Sequence, residues 1–248
     1  MDPDTRRLEE LGLNSSVPPG QLLFDGWLLR LSPGKAKRAR SVNAIYPSRR
    51  ELAEKIAHCE RVYAAAGLPA IFRITPFSEP SSLDAELERR GYGRFDDTAV
   101  ESAAIDRAHL DDAAAEPLAL ADWVEAVGAL RGSPIAHRAA HRVRLDGMPL
   151  EKRPVAIRVD GRIAATGLAI VEGDWMGLFD IVTDEGLRRR GHGRAIVAAL
   201  LGTGWEAGAR HAYLQVKSDN EPARRLYREF GFAERYTYWY RGRPGEQQ

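Results

Sequence analysis

Apolar residues recur along this chain with two spacings, every three or four residues in some stretches and every second residue in others. Leu8, Leu11 and Leu13 form the apolar side of a short helix over 6–13, which Asn14-Ser15-Ser16-Val17-Pro18-Pro19-Gly20 breaks. Strands at 22–24 and 27–31 flank Asp25-Gly26, a dipeptide that favours tight hairpins. Beyond the Pro33-Gly34 turn a strand spans 41–46. Leu52, Ile56, Cys59 and Tyr63 then recur at helical spacing up to Gly67. A strand at 70–74, a helix opened by Glu79-Pro80 and carried by Leu83 and Leu87, and an extended stretch at 95–105 complete the first half. Residues 106–117, rich in Ala and Asp, form the natural boundary and divide the chain into domains of 1–110 and 111–248.

The second half opens with helical segments near 118–131 and 134–146, split by Gly132-Ser133-Pro134. Strands at 154–159, 162–171 and 175–183, turned by Asp160-Gly161 and Gly173-Asp174, make an antiparallel meander. A helix from Gly193 to Ala207, a strand at 211–216, a helix at 221–230 and a strand at 232–241 follow. The halves run in parallel. Glu79-Pro80 and Gly91-Tyr92 in the first answer to Glu221-Pro222 and Gly231-Phe232 in the second. This pattern predicts an internal duplication and an α/β (α+β) fold of mixed twisted sheet flanked by helices, present twice.

Composition sets limits on function. With 44% hydrophobic and 29% charged residues among 248, the chain has the makings of a folded core. A net charge of +1 makes no bulk case for nucleic acid or an anionic membrane. The basic cluster from Lys35 to Arg40 lacks interleaved aromatics and reads as a solvated hairpin edge. Cys59 is the only cysteine, which excludes an internal disulfide or a cysteine-based zinc site and fits a reducing, cytoplasmic compartment. The N-terminus lacks the apolar run of a signal peptide, and no apolar segment approaches membrane-spanning length. No metal is expected, and no motif speaks to the oligomeric state.

The chemistry concentrates at 180–195, where an apolar strand runs into a basic turn punctuated by Gly191 and Gly193 and then into a helix. Unpaired amides at a helix start, with the helix dipole behind them, suit a phosphate, and glycines let the backbone approach it. Arg188-x-x-Gly191-x-Gly193 is followed by Asn220-x-x-Ala223-x-x-Leu226-Tyr227-x-x-x-Gly231-Phe232. Together these resemble the acyl-CoA signature of the Gcn5-related N-acetyltransferase (GNAT) superfamily, over roughly 118–241. The first half is similar to the degenerate N-terminal copy of tandem GNAT proteins. Where the second copy has Arg-Arg-Gly-His-Gly-Arg, the first has only Pro47-Ser48-Arg49-Arg50, and Leu87 stands where the second has Tyr227.

The resemblance implies acetyl-CoA as donor and a primary amine, on a small molecule or a protein, as acceptor, with direct transfer in a ternary complex. Amides from Arg189 to Ala195, through Arg190, Gly191, His192, Gly193 and Arg194, would hold the pyrophosphate, with charge added by Arg188, Arg189, Arg190 and Arg194. Ile181, Val182 and Thr183 would present backbone to the pantetheine as a sheet edge does. Asn220 caps the following helix and contacts cofactor in the family. Tyr227 is the expected acid for the leaving thiolate, the competing reading being a core aromatic. Asp180, a charge inside an apolar strand, is either the base or ammonium anchor, or an arginine's partner. Tyr236, Tyr238 and Tyr240 share a strand face, and wall either the acceptor pocket or the joint between halves. A non-catalytic acyl-CoA sensor is the alternative.

Overall fold

Two of the three Asp-Gly pairs, Asp25-Gly26 and Asp160-Gly161, make the hairpin turns their sequence favours. Asp25 and Gly26 sit at φ 43° and 84°, and Asp160 and Gly161 at 48° and 76°. Positive φ at both central residues is the hairpin geometry that matches the right-handed twist of strands. In the computed structural model, which describes residues 3–110 and 115–245, these hairpins open two similar runs of elements. The first half contributes α1 (Pro3–Asn14), β1 (Gly20–Phe24), β2 (Trp27–Leu31), β3 (Val42–Ala44), α2 (Leu52–Ala65), β4 (Phe72–Ile74), α3 (Leu83–Arg89) and β5 (Gly93–Ala104). The second contributes β6 (Ala115–Pro117), α4 (Leu120–Leu130), α5 (Ile135–Asp146), β7 (Glu151–Val159), β8 (Arg162–Glu172) and β9 (Trp175–Thr183). It continues with α6 (His192–Glu206), β10 (His211–Lys217), α7 (Glu221–Glu229) and β11 (Ala233–Gly242).

Several elements differ from expectation: β4 covers only Phe72–Ile74 of the expected 70–74, and α3 starts at Leu83 rather than at Glu79-Pro80. The third strand covers only Val42–Ala44 of the expected 41–46. Ala115–Pro117, inside the expected boundary, pairs with β7 as an edge strand. Three residues are too few to show an alternation, and an edge tolerates Pro117, which has no amide to donate.

All strands among the described residues join one sheet in the order β1-β2-β3-β4-β11-β5-β10-β9-β8-β7-β6. Among the described residues, only β3–β4 and β9–β10 are parallel pairs. The last strand of each half is lodged in the other half: β11 lies between β4 and β5, and β5 lies between β11 and β10. The halves therefore share their central hydrogen bonds, along eight registered β5–β11 pairs from Ala233↔Ser102 to Gly242↔Gly93.

Side chains on β8 alternate between two cores. Ala169 and Val171 pack with Ile196, Val197 and Leu200 of α6, whereas Leu168 and Ile170 pack with Trp123, Val127 and Leu145 of α4 and α5. In the first half, Ile56, Cys59 and Tyr63 of α2 cover Trp27 and Phe72. Helix α1 lies over the joint, with Leu8 and Leu11 against Tyr213, Tyr236, Tyr238 and Tyr240. The last-strand tyrosines thus pack the joint. Tyr236 donates to Glu9 Oε2 at 2.7 Å, and Tyr238 donates to Gln215 Oε1 at 2.8 Å. Glu9 forms a buried ion pair with Arg73 of β4. Burial alone would raise the Glu9 carboxyl; Arg73, with the Tyr236 hydroxyl, holds it below its ordinary value. No helix among the described residues is long and apolar enough to cross a membrane.

Candidate active site

The sheet opens at one place. Strands β9 and β10 pair from Trp175↔His211 to Leu178↔Leu214 and then part. Beyond that point β9 follows β8 to Thr183, and β10 follows β5 to Lys217. The register of β8 with β9 shows how. Thr166 faces Val182 but Leu168 faces Phe179, so β9 carries one extra residue opposite Gly167. Such a bulge bends its strand and re-aims side chains. Met176 and Leu178 face the α6 core, and simple alternation would send Asp180 the same way. Instead Asp180 takes φ 50°, rare for a residue with a Cβ, and its carboxylate turns toward α4 and α5. Gly167 opposite is required by close approach: a Cβ there would meet Leu200 Cδ1 at 2.6 Å. Ile181 packs on the α6 side and Val182 on the α4 side. The edge of Ile181, Val182 and Thr183 toward β10 has no strand partner among the described residues.

At the end of this gap lies the basic turn. Asp184 accepts the Gly186 amide at 2.8 Å and closes a short 3-10 turn. Arg189 (φ 63°) and Gly191 (φ 83°) then reverse the chain into α6. The amides of Arg189, Arg190, Gly191, His192 and Gly193 have no backbone acceptor among the described residues. The Ala195 amide, included in the expected cradle, donates to Gly191 O at 3.0 Å and is committed to the helix. Arg188 pairs with Glu185 at 3.0 Å, and Arg194 lies 3.7 Å from Glu229 and over the Phe230 ring. Arg189 and Arg190 are exposed, and His192 is half-buried as the first residue of α6.

The equivalent features of the first half are closed by the chain itself. Asp25 accepts the amides of Arg49 and Arg50, at 3.2 and 3.0 Å, just before α2. The Glu79 amide donates to Ala44 O at 2.9 Å and fills the space beyond the parallel pair β3–β4. Asp160, the counterpart of Asp25, makes no such bond among the described residues.

On α7, Asn220 Oδ1 accepts the Ala223 amide at 3.3 Å, which is the capping role expected of it. Tyr227 sits one face over, buried beside Phe232 with ring centroids 6.1 Å apart. Burial, reinforced by the Glu101 carboxylate, pushes its phenol up to about 12. Its hydroxyl makes no hydrogen bond among the described residues. Glu101 comes from β5 and pairs with Arg224 at 2.8 Å, so the first half contributes a charge to this neighbourhood.

On the opposite face, Asp180 borders a cavity of about 310 Å³ with Lys35, Arg131, His137, His141 and Arg144. Arg131 forms an ion pair with Asp180, and His141 Nε2 lies 3.3 Å from Oδ2. Burial would raise this carboxyl, but His141, Arg131 and Arg144 hold it well below the usual carboxylate range. The sequence reading missed the basic residues of α5. The signal was there: His137, His141 and Arg144 recur at helical spacing and share one face. The basic cluster is also not a solvated edge. Lys37 pairs with Asp96 at 2.6 Å, Arg38 donates to Ser16 Oγ and Tyr238 Oη, and Lys35 lines the cavity. No group of three or more His, Cys, Asp or Glu that could hold a metal ion occurs among the described residues.

Comparison with known proteins points to one chemistry. Residues 4–241 match a family model described as "Probable histone acetyltransferase Rv0428c C-terminal". The chain is 29% identical to the "Uncharacterized N-acetyltransferase YobR" of Bacillus subtilis, over 96% of this chain and 98% of that one. In structure it is similar to a GCN5-related N-acetyltransferase from Kribbella flavida, with TM-score 0.71, 20% identity, and 98% and 95% of the two chains covered. It is also similar to a tandem GNAT protein from the clavulanic acid biosynthesis pathway, with TM-score 0.59, 13% identity, and 94% and 86% covered.

Proposed function

The chain belongs to the Rv0428c-type family of GNAT acetyltransferases, and from that premise we propose that it moves an acetyl group from acetyl-CoA to a primary amine by direct transfer in a ternary complex. The observation that carries this reading is the gap between β9 and β10, with amides at its end that have no backbone acceptor among the described residues, and with Tyr227 in the core it shares with Leu214 and Val216 of β10. We assign residues 1–110 as a copy without a donor site and 111–248 as the catalytic half.

The free amides from Arg189 to Gly193, at a helix start beside exposed arginines, fit a pyrophosphate. Gly191 suits such an approach, since a Cβ there would meet nothing within 4 Å. The unpaired edge of Ile181 to Thr183 fits an extended amide-bearing chain. Acetyl-CoA supplies an activated thioester. Everything else falls to the chain's own residues. Tyr227, protonated at neutral pH, gives its proton to the leaving sulfur as the carbon–sulfur bond breaks and the carbon–nitrogen bond forms. Asp180 stays ionised at neutral pH and is therefore a poor proton acceptor. We assign it a positioning role toward His141, which takes the proton released by the amine. Cys59 is no acyl carrier, because burial pushes its thiol up to about 12.

The test is thiol release from acetyl-CoA across a panel of primary amines, with mass detection of the N-acetyl product. Release with at least one amine, without acylation of the protein, is expected. Accumulation of an acyl-enzyme would refute direct transfer.

A further inference from the structure

Charge is unevenly shared in the cavity below the β9 bulge. Asp180 is the carboxylate among its lining residues, and Arg131 already pairs with it. Lys35 and Arg144 line the same space, and neither has a carboxylate within ion-pairing distance among the described residues. Arg144 is half-buried, and among the described residues its one hydrogen bond is a long 3.5 Å contact with the Ser15 carbonyl. Burial draws its pKa down, opposed by Asp180 and assisted by Arg38. His137 Nδ1 is also buried without a hydrogen-bond partner among the described residues. A half-buried guanidinium and a buried ring nitrogen without matching partners are unfavourable in a folded protein and, with the exposed Lys35 on the same lining, mark a place where a ligand supplies the missing anion.

We infer that the acceptor bound in this cavity is a small amine that also carries an anionic group, a carboxylate or a phosphate, seated on Arg144 and Lys35. This rests on the transferase reading above and names the substrate class for its acceptor cavity. A polyamine or a lysine-rich peptide would bring further positive charge beside cations whose only acid is already taken, and like charges repel most where water is scarce. The same field assists the chemistry. Cations near an ammonium lower its pKa and raise the fraction of neutral amine, which is the form that attacks. A guanidinium meets a carboxylate or phosphate with paired donors, which fixes the orientation of the amine as well as its affinity. The cavity volume, about 310 Å³, falls at the small end of small-molecule sites.

The experiment compares matched amines as acceptors in the thiol-release assay: β-alanine and 2-aminoethyl phosphate against β-alaninamide, putrescine and a lysine-rich peptide. The anionic amines are expected to exceed the others in kcat/KM by about tenfold or more. Arg144→Gln should collapse that preference through KM for the acceptor and leave KM for acetyl-CoA unchanged, while Arg144→Lys restores part of it. The ratio between the two anionic amines tells carboxylate from phosphate. Equal or better turnover of β-alaninamide, putrescine or the peptide by the wild type overturns the inference and leaves the transferase reading intact. Calorimetric titration with the same amines separates the opposite failure. If no amine releases thiol, yet an anionic amine binds the wild type and not Arg144→Gln, the transferase reading fails and the anion site stands. If no anionic amine is either turned over or bound, the inference is overturned.

Discussion

Replacing Tyr227 by Phe removes one oxygen, and the surroundings of that oxygen fix what should follow. The ring is 8% exposed, in the core that includes Ile196, Val197 and Phe232, and Phe fills the same volume. The hydroxyl makes no hydrogen bond within the described fold, so its removal strands no buried partner. Stability should therefore change by less than about 0.5 kcal/mol, the range of a substitution without cavity or orphaned group. Turnover should behave differently. A positioned general acid is worth about 10²–10⁴ in rate, so kcat should fall by about a hundredfold or more. KM for acetyl-CoA should hold within about twofold, because the phenol acts only as the sulfur departs. The pH profile adds a check. The phenol is pushed up to about 12, so it stays protonated through pH 7–10 and should impose no alkaline fall in wild-type kcat there. Steady-state kinetics by thiol release, with thermal melts of both proteins, decide the matter. A Tyr227→Phe enzyme that melts like wild type and turns over within twofold of it would refute the acid role and leave Tyr227 as packing.

Asp180→Asn keeps a residue that tolerates positive φ, so the bulge should survive. The charge facing Arg131 and His141 is lost, and kcat should fall at least about tenfold with acetyl-CoA KM unchanged; an equal loss in both would point to a collapsed bulge instead. Glu9→Gln breaks the buried pair with Arg73 and should destabilise by about 3–5 kcal/mol, read by denaturant titration. Because the Glu9 carboxyl is held below its ordinary value, its contribution is present above the unfolded carboxyl pKa and lost as pH falls through the folded one. The wild-type minus Glu9→Gln difference in Tm should therefore shrink below about pH 4. Gly191→Ala forces a Cβ into a φ of 83°, which costs about 1–2 kcal/mol, and should raise acetyl-CoA KM while acceptor KM stays put. An unchanged acetyl-CoA KM in that variant would argue against the phosphate turn.

The sequence alone was enough for most of the elements and for the local shape of the glycine turn that leads into α6. Strand and helix periods, Asp-Gly turns and glycine caps are local signals, and each matched element lies where its own residues placed it. The turn from Arg188 to Gly193 and the Asn220 cap were legible for the same reason, since their geometry is set within a few residues. Two things depended on distance along the chain. The exchange of β5 and β11 pairs residues more than a hundred positions apart, and no local periodicity encodes a partner. The cavity beside Asp180 gathers Lys35 from one half and Arg131, His141, Arg144 and Asp180 from the other. Asp180 points there only because one extra residue in β9 shifts the alternation opposite Gly167. Side-chain direction along a strand follows from register, and register is a property of two strands. The charge read as an anomaly in one strand became part of a site only when the tertiary fold supplied the helix it faces.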